Sequence, residues 1–114
     1  MIIRFFYQLT SALFDLHKKN IIHRDLKTAN VFMTSDYQNL KLGDLNVSKI
    51  IKDKFAYTQT GTPYYASPEV WRDEPYDLKT DIWSLGCVLY ELCMLKPPFK
   101  ATNMDELFTK VQKR

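Results

Sequence analysis

The sequence has few glycines, few cysteines and no long apolar run. Its three glycines are scattered at Gly43, Gly61 and Gly86, so nothing before residue 23 supplies a glycine-rich phosphate loop. Its two cysteines, Cys87 and Cys93, lie six positions apart in a segment with helical periodicity, which makes a mutual disulfide geometrically poor. We therefore expect both to be buried, reduced thiols.

The sequence also lacks two features that would direct the protein to a membrane or out of the cell. The longest apolar-rich runs, 5–14 and 82–90, are far shorter than the roughly 20 residues that span a bilayer. The N-terminus shows no short apolar core followed by a small-residue cleavage site. We expect no membrane helix, no secretory signal and a cytoplasmic, nuclear or cytoskeleton-associated location.

The composition is that of an ordinary globular protein. Of its 114 residues, 46% are hydrophobic and 25% are charged, which favours a folded chain with one core. The formal net charge is only +3, and the lysines are scattered apart from short clusters at 18–19 and 49–54. We expect no nucleic-acid partner.

The candidate chemistry is concentrated in residues 21–30, I-I-H-R-D-L-K-T-A-N, between two apolar segments. Asp25 can accept a hydroxyl proton, Lys27 can screen phosphate charge, and the side-chain oxygen of Asn30 can bind a hard cation such as Mg²⁺. Together these groups suit phosphoryl transfer. Any one of them alone would more simply belong to a solvated turn.

The loop fills every fixed position of the pattern H-R-D-L-x-x-x-N, so the chain resembles the eukaryotic protein kinases. Two more strings, G-T-P-Y-Y-x-S-P-E at 61–69 and D-I-W-S-L-G-C-V-L-Y-E-L at 81–92, resemble the NIMA-related (NEK) serine/threonine kinases. The resemblance implies a mainly α fold like the C-terminal lobe of a kinase, with a small β-hairpin beside the catalytic loop and the N-terminal lobe absent. Residues 1–114 would then be one partial kinase domain.

Periodicity and turn residues predict the elements of this domain. Apolar residues at steps of three and four predict a long helix over 2–19, and two short β-prone runs predict a hairpin over 31–42. The buried stripe of the long helix is predicted to contain Ile2, Phe6, Leu9, Leu13 and Leu16.

Two more helices are predicted after a long polar stretch. A run that is apolar nearly all round predicts a buried helix over 81–94, with Thr80 as its cap. A final helix is predicted over 103–113, with Thr102 or Asn103 as its cap.

The resemblance also implies roles for the site residues. Asp25 would orient and deprotonate the acceptor hydroxyl, Lys27 would stabilise the transferring charge and contact ATP, and Asn30 and Asp44 would bind Mg²⁺. Asp44 begins an Asp-Leu-Asn string where kinases have Asp-Phe-Gly. Asp81, at the start of the buried helix, would accept backbone hydrogen bonds from the catalytic loop.

Residues 44–69 resemble the activation segment of a kinase. By that resemblance Arg24 would hold a phosphorylated residue, with Thr58 the first choice of phosphosite and Thr60 the second. Near the end of the segment, Thr62 would contact the catalytic aspartate and lysine. Glu69 normally pairs with an arginine that this sequence does not contain at the matching position.

The function predicted is protein serine/threonine kinase activity of the NEK type, with ATP and Mg²⁺ as cofactors and proteins with a serine or threonine acceptor as substrates. We expect the 114 residues alone to be a poor catalyst, and the oligomeric state is left open. The alternative is a non-catalytic binding module derived from a kinase. A phosphatase or metal hydrolase that uses Asp25 and Asp44 would leave 61–69 unexplained.

Overall fold

A computed structural model describes residues 1–43, the backbone of 49–50, and residues 64–113. Those residues form four α-helices, one 3₁₀ helix and two separate two-stranded antiparallel sheets. In chain order the elements are α1 (Ile2–Lys18), β1 (Ile21–Ile22), the 3₁₀ helix (Thr28–Asn30), β2 (Val31–Met33), β3 (Leu40–Leu42), β4 (Lys49–Ile50), α2 (Pro68–Trp71), α3 (Lys79–Met94) and α4 (Met104–Lys113).

Helix α1 buries one stripe, which is shifted slightly from the predicted one. Its buried residues are Phe5, Leu9 and Leu13, whereas the predicted Phe6 and Leu16 are only half-buried and Ile2 is exposed. Steps of four residues keep these three side chains nearly in line, since a helical turn contains 3.6 residues. The helix ends one residue before the predicted boundary, and Asn20, just beyond it, adopts the left-handed conformation with φ 58°.

The hairpin of β2 and β3 packs on α1 and α3. Its register pairs Val31 with Leu42 and Met33 with Leu40, and its inward residues contact a core formed by Leu9, Leu13, Leu26, Leu85 and Val88. The pairing of β1 with β4 was not predicted, because strands of two residues have no measurable periodicity.

Helix α3 begins earlier than predicted, and its N-cap residue, Leu78, makes no side-chain capping hydrogen bond. It starts at Lys79, whose backbone nitrogen donates to Asp77 Oδ1 at 2.8 Å. Thr80 is therefore not the cap, because it lies inside the first turn, where its hydroxyl hydrogen-bonds the Ser67 hydroxyl at 2.7 Å. The prediction that the helix is buried nearly all round was also wrong, since Ile82 and Met94 are exposed.

The two cysteines of α3 differ in burial. Cys87 is buried and Cys93 is exposed, and both are free thiols. The expectation of two buried thiols is therefore wrong for Cys93. Six positions along a helix turn the side chain by about 240°, which places Cys93 on a different face from the core.

Helix α2 packs against α4 through an edge-to-face contact between Trp71 and Phe108, whose ring centroids are 5.8 Å apart. Asn103 caps α4 as predicted, because its Oδ1 accepts the backbone N–H of Glu106 at 2.8 Å. Across the described residues, we find no helix with the length and apolar character that a membrane crossing requires.

Candidate active site

One buried carboxylate binds the backbone near the start of the loop at 21–30. Asp81, in the first turn of α3, is 1% exposed. Its Oδ2 accepts the backbone N–H of His23 at 2.8 Å and its Oδ1 accepts that of Arg24 at 3.0 Å. This confirms the predicted hydrogen bonds from the loop to Asp81. His17, at the end of α1, adds a third contact, with its Nε2 2.9 Å from Asp81 Oδ2.

The backbone of Arg24 is held in an unfavourable conformation. Its φ of 71° lies in the left-handed region, which costs a non-glycine residue roughly 1 kcal/mol or more. The hydrogen bond from its own N–H to Asp81 offsets that cost. The left-handed turn redirects the chain immediately before Asp25.

His23 links the backbone of Asp25 to that of Gly43. The Asp25 N–H donates to His23 Nδ1 at 3.1 Å, so this nitrogen is an acceptor. The network assigns the ring proton to Nε2, which lies 2.9 Å from the carbonyl oxygen of Gly43. Because the side chain is fully buried, a neutral imidazole links Asp25 to the residue that precedes Asp44.

Asp25, Lys27 and Asn30 lie together at the end of this loop. The Asn30 amide nitrogen donates to the carbonyl oxygen of Asp25 at 2.6 Å and to its Oδ2 at 3.0 Å. Lys27 Nζ is 3.6 Å from Asp25 Oδ1. Asn30 is buried, whereas Asp25 and Lys27 are about one-third exposed. The carboxylate and the ammonium are therefore accessible from solvent, next to the buried Asn30.

The 3₁₀ helix and the hairpin set the position of Asn30. The Asn30 N–H donates to the carbonyl oxygen of Lys27 at 3.0 Å, and the Asn30 carbonyl oxygen accepts the N–H of Gly43 at 2.9 Å. Asn30 thus joins the loop to the first strand of the hairpin, while Gly43 follows the second. The hairpin brings the residue before Asp44 directly beside Asn30.

The sequence matches the family model described as "Protein kinase domain" over residues 1–114. The chain belongs to the protein kinase family. It is 44% identical over 112 residues to serine/threonine-protein kinase Nek5 of Homo sapiens and 48% identical over 118 residues to Nek2 of Mus musculus. These alignments cover 96% and 97% of this chain but only 16% and 26% of the relatives.

The similarity extends to serine/threonine-protein kinase Nek8 of Danio rerio, at 48% identity over 111 residues. That alignment covers 96% of this chain and 16% of the relative. The NEK-like character predicted from 61–69 and 81–92 is therefore confirmed. The chain spans about a sixth to a quarter of the length of these three kinases.

Several of the predicted kinase site residues lie outside the described residues, namely Asp44, Thr58, Thr60 and Thr62. Glu69 is described and lies in α2, where its carbonyl oxygen accepts the N–H of Glu74 at 2.9 Å. Its side chain lines an open groove together with Tyr76, Asp77 and Lys79. The ion pair of Arg72 is with Glu74, at 2.7 Å, as expected if Arg72 is not the family partner of Glu69.

The described part of the chain contains no group of three or more histidine, cysteine or acidic side chains that could hold a metal. Asn30 nevertheless has a side-chain oxygen that could bind a metal ion. Its amide nitrogen is occupied by Asp25, which leaves the amide oxygen, a hard ligand, as the atom to face a cation. The other predicted ligand, Asp44, immediately follows Gly43.

Sequence reasoning missed three polar residues beside this site, Thr28, Tyr65 and Glu91. The Tyr65 hydroxyl is 2.8 Å from both oxygens of Glu91, and the Thr28 hydroxyl donates to Glu91 Oε1 at 2.6 Å. Burial, with the neighbouring Glu91 charge, raises the pKa of Tyr65 to about 12 and that of Cys87 to about 11. An acidic residue within the apolar run of 81–94 was the signal that could have found this cluster.

Proposed function

We propose that this protein is a NEK-like protein serine/threonine kinase and that residues 1–114 supply the C-terminal-lobe part of its catalytic domain. The observation that carries the proposal is the joining of Asp25, Lys27 and Asn30 by contacts of 2.6–3.6 Å. The elements around them support the lobe assignment, because a helix, the loop and a hairpin follow one another in the order that the resemblance implies.

The proposed reaction is direct transfer of the γ-phosphoryl group of ATP to a serine or threonine hydroxyl. The Asp25 carboxylate accepts a hydrogen bond from the hydroxyl, aims its oxygen at phosphorus and takes up its proton as the new O–P bond forms. The bond to the β-phosphate oxygen breaks and ADP leaves. The Lys27 ammonium stabilises the negative charge on the transferring group, since it is partly exposed and lies 3.6 Å from Asp25 Oδ1.

Asn30 and Asp44 would hold Mg²⁺ in this site. When bound, Mg²⁺ neutralises charge on the nucleotide phosphates. The chain's own contribution is the orientation of Asn30, because its hydrogen bonds to Asp25 turn the amide oxygen away from that carboxylate. The Asp-Leu-Asn string at 44–46 keeps the carboxylate of the family's motif.

Regulation and acceptor binding are assigned to the activation segment. Arg24 would bind phosphate on Thr58 or, as second choice, on Thr60, which would order the segment. Thr62 would link the segment to Asp25 and Lys27. Activity that survives removal of phosphate from both threonines, checked by phosphopeptide mapping after phosphatase treatment, contradicts this regulatory assignment.

The test of catalysis compares two carboxylates in the full-length product of the gene. Asp25→Asn should lower Mg²⁺-dependent phosphate transfer from ATP to a dephosphorylated protein mixture by about 10²-fold or more. Asp15→Asn removes an exposed carboxylate of α1 and should leave transfer unchanged. Equal rates of phosphate transfer in wild type and Asp25→Asn would contradict the proposal.

A second pair of variants tests the charge assigned to Lys27. Lys27→Met should reduce kcat with little change in the melting temperature, whereas Lys19→Met, at an exposed position, should do neither. Acid hydrolysis of the labelled products should give phosphoserine or phosphothreonine. Phosphotyrosine as the main product contradicts the assigned acceptor.

A binding module without catalysis is the second candidate, and one observation favours it. Large apolar side chains are exposed at Phe32 and Met33 on the hairpin and at Leu95 after α3, which is typical of surfaces that contact other proteins. A wild-type protein that binds partners but transfers no phosphate, with or without Mg²⁺, would favour this candidate. Transfer that is lost in Asp25→Asn excludes it.

A further inference from the structure

Helix α3 holds the catalytic loop at two points. Asp81 binds the backbone where the loop begins, and Glu91 binds the Thr28 hydroxyl where it ends. Asp81 and Glu91 are ten positions apart along the helix, a rise of about 15 Å. Asp25 and Lys27 lie on the stretch of chain between these two anchors. The proposed role of Asp81 accounts for the first anchor only.

The second anchor is shared with the end of the activation segment. Glu91 accepts hydrogen bonds from Thr28 at 2.6 Å and from Tyr65 at 2.8 Å, and the two hydroxyl groups are 3.3 Å apart. Hydrogen bonds to a carboxylate are stronger than those between neutral groups, and this carboxylate is half-buried. The Tyr65 phenol is protonated and able to donate at neutral pH, and burial raises its pKa further, to about 12.

Thr28 is also the first residue of the 3₁₀ helix that carries Asn30. Lys27, the cap of this helix, makes no side-chain capping hydrogen bond. The hydroxyl of Thr28 is thus the side-chain group that fixes the first residue of the turn to α3. A shift of this turn would move Lys27 and Asn30 together, because Thr28 lies between them.

We propose that Thr28 is a positioning residue, which together with Tyr65 uses Glu91 to couple the end of the activation segment to the position of Lys27 and Asn30. This inference deepens the proposed kinase function and rests on it. Tyr65 hydrogen-bonds the same Glu91 carboxylate that binds Thr28. Displacement of the end of the activation segment would therefore change the hydrogen bonds that hold Thr28. Thr28 itself contacts no reacting atom in this scheme.

The experiment compares Thr28→Val, which keeps the shape but removes the hydroxyl, with Thr28→Ser, which keeps the hydroxyl. In the full-length gene product, Thr28→Val should lower kcat about tenfold with the KM for ATP within twofold, because small misplacements of catalytic groups are costly. Thr28→Ser should retain kcat within threefold. Thr10→Val, which removes an exposed hydroxyl that bonds the Phe6 carbonyl oxygen of α1, is the control and should change nothing.

Amide hydrogen exchange supplies a readout that does not depend on activity. Thr28→Val and Tyr65→Phe should each speed exchange of the amides at 27–31 several-fold, without faster exchange in the middle of α3. An active wild type with kcat unchanged in Thr28→Val overturns the inference and leaves the proposed function standing. An inactive wild type overturns the proposed function, and unchanged exchange at 27–31 then overturns the coupling as well.

Discussion

The two long helices, α1 and α3, are similar in length but bury different kinds of side chain. In α1, of 17 residues, every buried residue is apolar. In α3, of 16 residues, half of the buried set is polar, namely Thr80, Asp81 and Ser84. Apolar contacts are non-directional, whereas hydrogen bonds fix both distance and angle. We infer that α1 supplies packing and that α3 positions the site.

The largest expected effect comes from Asp81→Asn. The amide can accept only one of the two loop N–H groups well and turns a donor towards the other, so unfolding free energy should fall by about 3 kcal/mol. The kcat per folded molecule should fall about 100-fold, because His23 and Arg24 lose their anchor. Chemical denaturation and an active-fraction assay measure the two effects.

Leu9→Ala is the matched variant on α1. Leu9 is 1% exposed, so its truncation should also cost about 3 kcal/mol. The kcat per folded molecule should stay within about threefold of wild type, since Leu9 orders no polar group of the site. Equal losses of kcat in Asp81→Asn and Leu9→Ala would contradict the inference that α1 supplies packing and α3 positions the site.

Those two helices also differ in how well the sequence predicts them. Apolar periodicity predicts the position of α1 and the burial of Leu9 and Leu13, because these residues repeat locally. It was wrong about Phe6, since Phe5 is buried in its place, and about the two ends of the stripe, Ile2 and Leu16. The anchor at Asp81 was predicted through the kinase resemblance. The Glu91 cluster was missed because its partners lie 63 and 26 positions away along the chain, beyond any local pattern.

In the loop, too, features set by neighbouring residues could be predicted, whereas contacts with distant residues could not. The residues Asp25, Lys27 and Asn30 could be chosen from the sequence through the contiguous H-R-D-L-x-x-x-N pattern and the kinase resemblance that it carries. The neutral tautomer of His23 and its hydrogen bond to Gly43 could not be predicted from the sequence. They depend on the hairpin, which places the Gly43 carbonyl oxygen next to the loop. The burial of Thr80 likewise depends on Ser67, which no helix-capping rule includes.

A smaller effect is expected from the hydroxyl pair of Ser67 and Thr80, which joins the segment before α2 to α3. Both residues are buried, and their oxygens are 2.7 Å apart. Ser67→Ala and Thr80→Val should each lower the unfolding free energy by about 1–2 kcal/mol. The double variant should lose about 1 kcal/mol less than the sum, because either change alone removes the shared bond.

The control for that cycle is Thr10→Val on α1. Its hydroxyl donates to the carbonyl oxygen of Phe6 at 2.7 Å but is exposed, so its loss should change the unfolding free energy by no more than about 0.5 kcal/mol. An additive Ser67 and Thr80 cycle, or an equal loss in Thr10→Val, would show that burial does not strengthen the polar contacts of α3.

Glu106 of α4 extends the comparison to an exposed carboxylate. Hydrogen bonds from the backbone and hydroxyl of Thr102, and then one from Lys110, lower the pKa of Glu106 from 4.5 to about 2. A lowered pKa stabilises the fold above pH 4.5, and that contribution is lost as the pH falls from 4.5 towards 2. Glu106→Gln should therefore lose less stability than wild type over this window, and identical pH profiles in denaturant titrations would contradict the shift.

The smallest expected effect is a gain from Gly86→Ala in the exposed middle of α3. A Cβ built at Gly86 meets no atom within 4 Å, so the substitution should raise the unfolding free energy by about 0.5–1 kcal/mol through helix propensity. Gly43→Ala is the matched change next to the site, where a Cβ would lie 2.7 Å from Phe32 Cε2 and would force the ring to move. We therefore expect a gain at Gly86 and a loss at Gly43 in parallel thermal melts. A loss at Gly86 would mean that this face of α3 is covered in the full-length protein, because an uncovered helix face has no reason to exclude a methyl group.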